Sequence, residues 1–284
     1  MNSTGAMIST RGTGTRAPGR LWRDVLESFR HPDFWALSSW LDIIIRARKS
    51  RLGMAWLFAK SITYVFGLGT FFASMRLVGN SDATMGEYFA HIALGMMVFG
   101  VMMSAITSSS NVFVASKAFI LDGHVRLSDY LLQVLAKSFF DMCLYLPAVV
   151  IALWMAGGVA PLGLWTTLPA LLLVYLNSLW IAALFGVLGA RLPDLGNMIA
   201  TASIFAFILT PIIWYPAMMP EGSLRGSLMR FNPLFHFVEV FRAPILEGVL
   251  DRTSLLYVAV FTATGLVAST LVYRRYARSV PLWI

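Results

Sequence analysis

The fold class this sequence predicts is an all-α membrane protein: six membrane-spanning helices, an N-terminal amphipathic interface helix, and short re-entrant outer helices before the last span. Three observations carry it. Hydrophobic residues make up 58% of the 284 and charged ones 13%, and mean hydropathy is +0.72, whereas a soluble domain is nearer half apolar and a quarter charged. The apolar residues come in long runs, and roughly 20 in succession cross a bilayer as a helix. Lys and Arg gather at the ends of those runs, so the net charge of +8 reads as a topology signal and not as nucleic-acid binding.

Residues 1–20 are mostly Ser, Thr, Gly and Arg without an apolar core, which predicts a disordered tail and no signal peptide. Residues 21–51 form an interface region. Trp22, Val25, Leu26 and Phe29 follow i, i+3, i+4, i+7, with Arg23, Asp24, Glu27 and Arg30 opposite. That pattern, followed by Pro32 and the aromatic Phe34, Trp35 and Trp40, predicts helices lying in the headgroup layer with the apolar face down. The competing reading is a soluble amphipathic helix packed on another protein.

Residues 52–284 form one transmembrane domain, with spans at about 55–75, 90–110, 130–155, 165–189, 199–215 and 254–273. Arg11, Arg16, Arg20, Arg23, Arg30, Arg46, Arg48, Lys49 and Arg51 precede the first span, and Arg274, Arg275 and Arg278 follow the last. An excess of basic residues marks the cytoplasmic side, so both ends are expected there. Arg76 is the one basic residue of the outer connections 76–89 and 156–164. Cys143 stands alone, which excludes a disulfide within one chain.

Segment 216–253 is too long for a turn and too apolar for a solvated loop. Pro216, Pro220, Pro233 and Pro244 divide it into pieces far shorter than a span. Short helices dipping into the outer leaflet are expected, with His236, Glu239 and Arg242 sharing one polar side. A metal site fails on ligand count, and an acid/base pair lacks a nucleophile. A Glu239–Arg242 pair at i, i+3 that holds the segment at the interface is the plain reading; a polar lining at the exit of a transport path is the other.

Lys60, Lys137 and Asp141 fall inside predicted spans. The lysines are expected to snorkel, and Asp141 to pair with Lys137 one turn away. Aromatic residues offer flat apolar faces, and Tyr and Trp add a polar handle. Trp56, Tyr64, Phe66, Phe99, Tyr145, Trp154, Tyr175, Trp214 and Tyr215 are therefore candidates for lining a sugar path, against lipid-belt or packing roles. The hydroxyl-rich SAITSSSN (104–111) reads equally as a wet entrance or as helix packing.

NPLFHFVEVFRAPILEG (232–248) resembles the segment before the last span in permease subunits of ABC exporters of O-antigen, capsule and teichoic-acid type polysaccharides, the ABC-2 class. RARKSRLGMAW (46–56), TPIIWYPAMMP (210–220) and RRYARSVPLWI (274–284) are similar to that family's start of span one, end of span five and C-terminus. Ala47 and Met54 depart from it, as does Arg191-Leu-Pro-Asp-Leu195. The resemblance implies a dimer in the bacterial inner membrane, two separate ATP-binding subunits that hold ATP and Mg, and a lipid-linked polysaccharide as cargo. It also implies ATPase-coupling contacts at Lys117, Asp122, Arg126, Arg191 and Asp194, and an outer gate with Asn232, Pro233, His236, Glu239 and Arg242. The sequence is in keeping with this: it contains no G-x-x-x-x-G-K-[ST] loop to cradle ATP phosphates, and Gly67-Leu-Gly69 reads as helix packing. Rival readings are an exporter of a small lipophilic compound, a partner-free secondary transporter and a structural membrane scaffold.

Overall fold

A computed structural model describes residues 20–49, 54–74, 84–122, 125–219 and 222–284. The expected tail through residue 19, Arg51, Arg76 and Pro220 lie outside the described residues. Among the described residues every regular element is helical: α1 Leu21–Arg30, α2 Asp33–Lys49, α3 Met54–Ile62, α4 Gly69–Ser74, α5 Met85–Ala115, α6 Lys117–Leu121, α7 Leu127–Met155, α8 Pro161–Arg191, α9 Leu195–Leu209, α10 Leu224–Phe231, α11 Pro233–Leu246, α12 Arg252–Tyr276 and α13 Val280–Trp283. A π-helical stretch, Thr63–Leu68, joins α3 to α4.

Among the described residues five helices are long and apolar enough to cross a bilayer: Ala55–Ser74, Met85–Ala115, Leu127–Met155, Pro161–Arg191 and Arg252–Trp283. The expected fifth span, 199–215, corresponds to the shorter apolar helix Leu195–Leu209. Helix α9 has 15 residues, about 22 Å of helix, against roughly 30 Å of hydrocarbon. Pro211 ends it. The ring disfavours α geometry in the preceding residue, and Thr210 is extended at φ −86°, ψ 129°.

Helix α5 is the centre of the bundle, packed against both α7 and α8. A capping box starts it: Glu87 N–H donates to Thr84 Oγ1 at 3.2 Å, and Thr84 N–H to Glu87 Oε2 at 2.8 Å. One core cluster runs through Ala93, Met97, Val101, Trp180, Phe237 and Phe241. A second gathers Leu21, Phe113, Ile120, Tyr130, Val187, Tyr273 and Val280, so α1, α6 and α13 share one end of the bundle. The 210–215 turn lies at the opposite end.

Helix α1 splits its predicted stripe. Val25 is buried and Trp22 Nε1–H donates to Thr270 Oγ1 at 2.9 Å, whereas Leu26 and Phe29 face outward. Helix α2 runs along the first half of α7. Lys137 pairs with Asp42, and Arg46 with Asp141 at 3.1 Å. This corrects the expected Lys137–Asp141 pair: both side chains turn to the neighbouring helix, whose own i, i+4 spacing matches theirs. Each pair is partly exposed and contributes well under about 1 kcal/mol, so the ladder sets register more than stability. Of the two glycines read as packing, Gly69 is buried, with Phe89 against the place of a Cβ, and Gly67 is exposed. Pro244 does not divide its segment either; it lies inside α11.

Candidate functional site

Three places concentrate polar chemistry in this apolar bundle. The first is the turn after α9. Thr210 and Ile212 are fully buried, so polar groups that the ended helix no longer serves need other partners. Side chains from α5, α10–α11 and the junction between them supply these. Asn232 Nδ2 donates to Thr210 Oγ1 at 2.8 Å, Arg242 Nη1 to the Pro211 carbonyl at 2.8 Å, and Tyr88 OH to the Ile213 carbonyl at 2.6 Å. The same Asn232 caps α11, its Oδ1 accepting from Leu234 N–H at 3.0 Å, and Pro233 occupies the first helical position beside it.

Arg242 is the hub of this latch. It is 3% exposed, and its Nη2 donates to Glu239 at 2.9 Å, which matches the expected i, i+3 pair. Its Nη1 also lies 3.0 Å from Nε2 of His91, itself 3% exposed. A guanidinium only donates, so Nε2 accepts and the imidazole proton sits on Nδ1. The Trp214 carbonyl, 3.2 Å from the same Nε2, can be served only if the ring turns its proton there and gives up Arg242. The ring of Tyr215 covers His91 with centroids 4.2 Å apart.

His236 does not join this polar side, contrary to expectation. Each three-residue step on a helix falls short of a full turn by about 60°, so His236 and Arg242 point some 120° apart. His236 Nε2–H donates to the Arg230 carbonyl at 2.7 Å, and Nδ1 meets Ser254 Oγ at 2.8 Å. The ring stacks on Tyr257 at 3.9 Å. Burial holds its pKa below the ordinary histidine value, against the raising effect of the Arg230 carbonyl.

Asp251 completes that arrangement as the cap of α12, accepting from Thr253 N–H at 3.0 Å, Ser254 N–H at 3.1 Å and Ser254 Oγ–H at 2.6 Å. Burial pushes its carboxyl up, but these hydrogen bonds outweigh that and hold it below the usual aspartate range. Asp251→Ala is expected to cost about 1 kcal/mol. A carboxylate with a depressed folded-state pKa stabilises above its unfolded pKa and loses that contribution as pH falls through the folded one. Denaturant titrations should therefore show the gap between variant and wild type closing below about pH 4.

The second place is a cleft of about 470 Å³ between α3, α5, α7 and α9. Tyr64, Phe99 and Tyr145 line it together with Lys60, Ser104, Thr107 and Ser203. Phe99 meets Phe207 edge-on at 5.5 Å. The other aromatic candidates lie elsewhere. Phe66 packs edge-on against Phe89 at 5.1 Å, Tyr175 against Phe139 at 6.0 Å, and Trp56 and Trp154 are on the outer surface, Trp154 80% exposed. Trp214 lines a separate apolar pocket of about 660 Å³ with Phe72, Phe205, Leu228 and Met229, where Arg225 is the one charged lining residue among the described residues.

The third place is the end that carries α1, α6 and α13. Lys117 opens α6 and Asp122 caps it; both are exposed, as are Phe119 and Leu121 between them. Arg126 is not free: it pairs with Glu27 of α1 at 3.0 Å. Arg191 lies over the rings of Tyr276 and Trp283, 5.8 and 5.5 Å from their centroids, and Asp194 is exposed at the start of α9. Reading the sequence passed over Tyr88, His91, Phe119 and Leu121. Two polar-tipped rings in an apolar run were the signal for the first pair.

Residues 34–246 match the family described as ABC-2 type transporter. No curated protein matches the chain at a significant level.

Proposed function

Because this chain belongs to the ABC-2 type transporter family, we propose that it is the permease of an exporter moving a lipid-linked, O-antigen-like polysaccharide across the bacterial inner membrane. Family membership makes it a multi-pass membrane transport subunit that works with an ATP-binding partner. The finer reading places both termini in the cytoplasm, pairs the chain with a second copy, and leaves ATP and Mg on the partner.

The cleft supports the cargo. It sets four aromatic residues, Tyr64, Phe99, Tyr145 and Phe207, among hydroxyls, the combination that stacks on sugar rings while hydrogen-bonding their edges. The 210–215 turn and its latch then shape the outer exit. The test is the ATPase rate of the complex with its partner in nanodiscs. A lipid-linked glycan is expected to stimulate it several-fold, and Tyr145→Ala to reduce that response about 3- to 10-fold. The second reading, a small lipophilic cargo, draws on the apolar pocket beside Trp214. Stimulation by lipophilic compounds and none by the glycan would select it.

Lys117, Asp122, Arg126, Arg191 and Asp194 are assigned to ATPase coupling, with exposed Phe119 and Leu121 as the apolar part of the contact. Asp122→Ala and Arg126→Ala are each expected to lower ATP-dependent export and retention of the partner on purification. Arg126→Ala should also loosen α1, since it removes the Glu27 pair. Survival of both export and partner binding in both variants would refute the assignment.

A further inference from the structure

We propose that Lys60 is an anion-recognition residue, and that the cleft it lines takes a phosphate or pyrophosphate ester carried on a lipid. The inference rests on the export reading above and names the part of the cargo held in this cleft. Three other cations of the bundle are matched: Lys137 with Asp42, Arg46 with Asp141, Arg242 with Glu239. Lys60 makes no ion pair among the described residues. An ammonium in a membrane span is costly unless it faces water or an opposite charge, and Lys60 faces the cleft.

The rest of the lining suits an anion. Among the described residues it contains no carboxylate. Thr107 and Ser203 spend their hydroxyl protons on the Met103 and Ala200 carbonyls, at 2.7 and 2.6 Å. The hydroxyls of Tyr64, Ser104 and Tyr145 have no hydrogen-bond partner among the described residues, so three donors remain beside the ammonium. Tyr64 follows Lys60 at i+4, within the π-helical stretch, so span one itself brings cation and hydroxyl to the same cleft. Phosphate oxygens accept from such donors, and a fixed charge in a low-dielectric cleft acts strongly on them. The remaining wall is apolar, with Met96, Phe99, Met103, Ile204 and Phe207, which favours an ester on a hydrocarbon chain over a free ion.

The complex with its ATP-binding partner, in nanodiscs of neutral lipid, is titrated calorimetrically with farnesyl diphosphate, farnesol and inorganic pyrophosphate. Wild type is expected to bind farnesyl diphosphate at least about tenfold more tightly than farnesol and than inorganic pyrophosphate. Lys60→Met should erase the preference over farnesol, and Lys60→Arg should keep most of it. Glycan-stimulated ATPase measured on the same samples separates the two ideas. Loss of that stimulation in wild type defeats the polysaccharide reading, whatever Lys60 does. A preference for the diphosphate that is absent in wild type, or undiminished in Lys60→Met, overturns the present inference, as does tighter binding of inorganic pyrophosphate than of the lipid ester.

Discussion

Arg242→Met is expected to destabilise the chain by about 3–5 kcal/mol. The guanidinium is nearly inaccessible, and three partners converge on it: Glu239, the Pro211 carbonyl and His91. Methionine fills most of the volume and serves none of them. Glu239, with a side chain 15% exposed, is left as an unpaired carboxylate, and the Pro211 carbonyl loses its donor. The double variant Glu239→Gln/Arg242→Met should recover a substantial part of the loss, because the stranded charge is gone and one orphaned acceptor, at about 1–3 kcal/mol, remains. Arg242→Lys should fall between: a compact ammonium cannot fork to Glu239 and Pro211 at once. Thermal or denaturant unfolding in nanodiscs measures all three. An Arg242→Met variant within about 1 kcal/mol of wild type would show that these buried contacts do not hold the latch.

Gly189→Val should be nearly as damaging. A Cβ at Gly189 would stand 1.8 Å from the Ser110 carbonyl oxygen and 2.6 Å from its carbon. These are backbone atoms of α5, so no rotamer change relieves the clash, and α5 and α8 must separate along their contact. Overpacking of this kind costs about 1–3 kcal/mol and at times more. Gly100, on the same α5, gives the opposite sign: a Cβ there meets nothing within 4 Å, so Gly100→Ala should be neutral or stabilising by up to about 1 kcal/mol. If both variants unfold alike, the close approach of α5 and α8 is not what holds the core.

The long spans were legible because burial in a bilayer leaves a signal that depends on run length alone. The end of the fifth helix was placed too far along the chain for the same reason. Its apolar run continues through Ile212, Ile213 and Trp214, and the Thr210–Pro211 junction that stops the helix is one dipeptide within it. The Glu239–Arg242 pair was legible because its partners share a helix. Lys137 and Asp141 also share a helix, and the same rule failed there: α2 offers each an opposite charge across the groove. His236, Glu239 and Arg242 looked like one face at a spacing that in fact drifts around the helix, so His236 turned to α12 and Arg242 to α5.

What the amino-acid order determined by itself was the class of the molecule: an apolar helical bundle threaded repeatedly through a membrane, with motifs of a transport family. Tertiary structure alone decided which polar groups meet. Hydropathy and helical period act within one segment, whereas Asp42 and Lys137, or His91 and Arg242, are partners only because two helices far apart in the chain come to lie side by side.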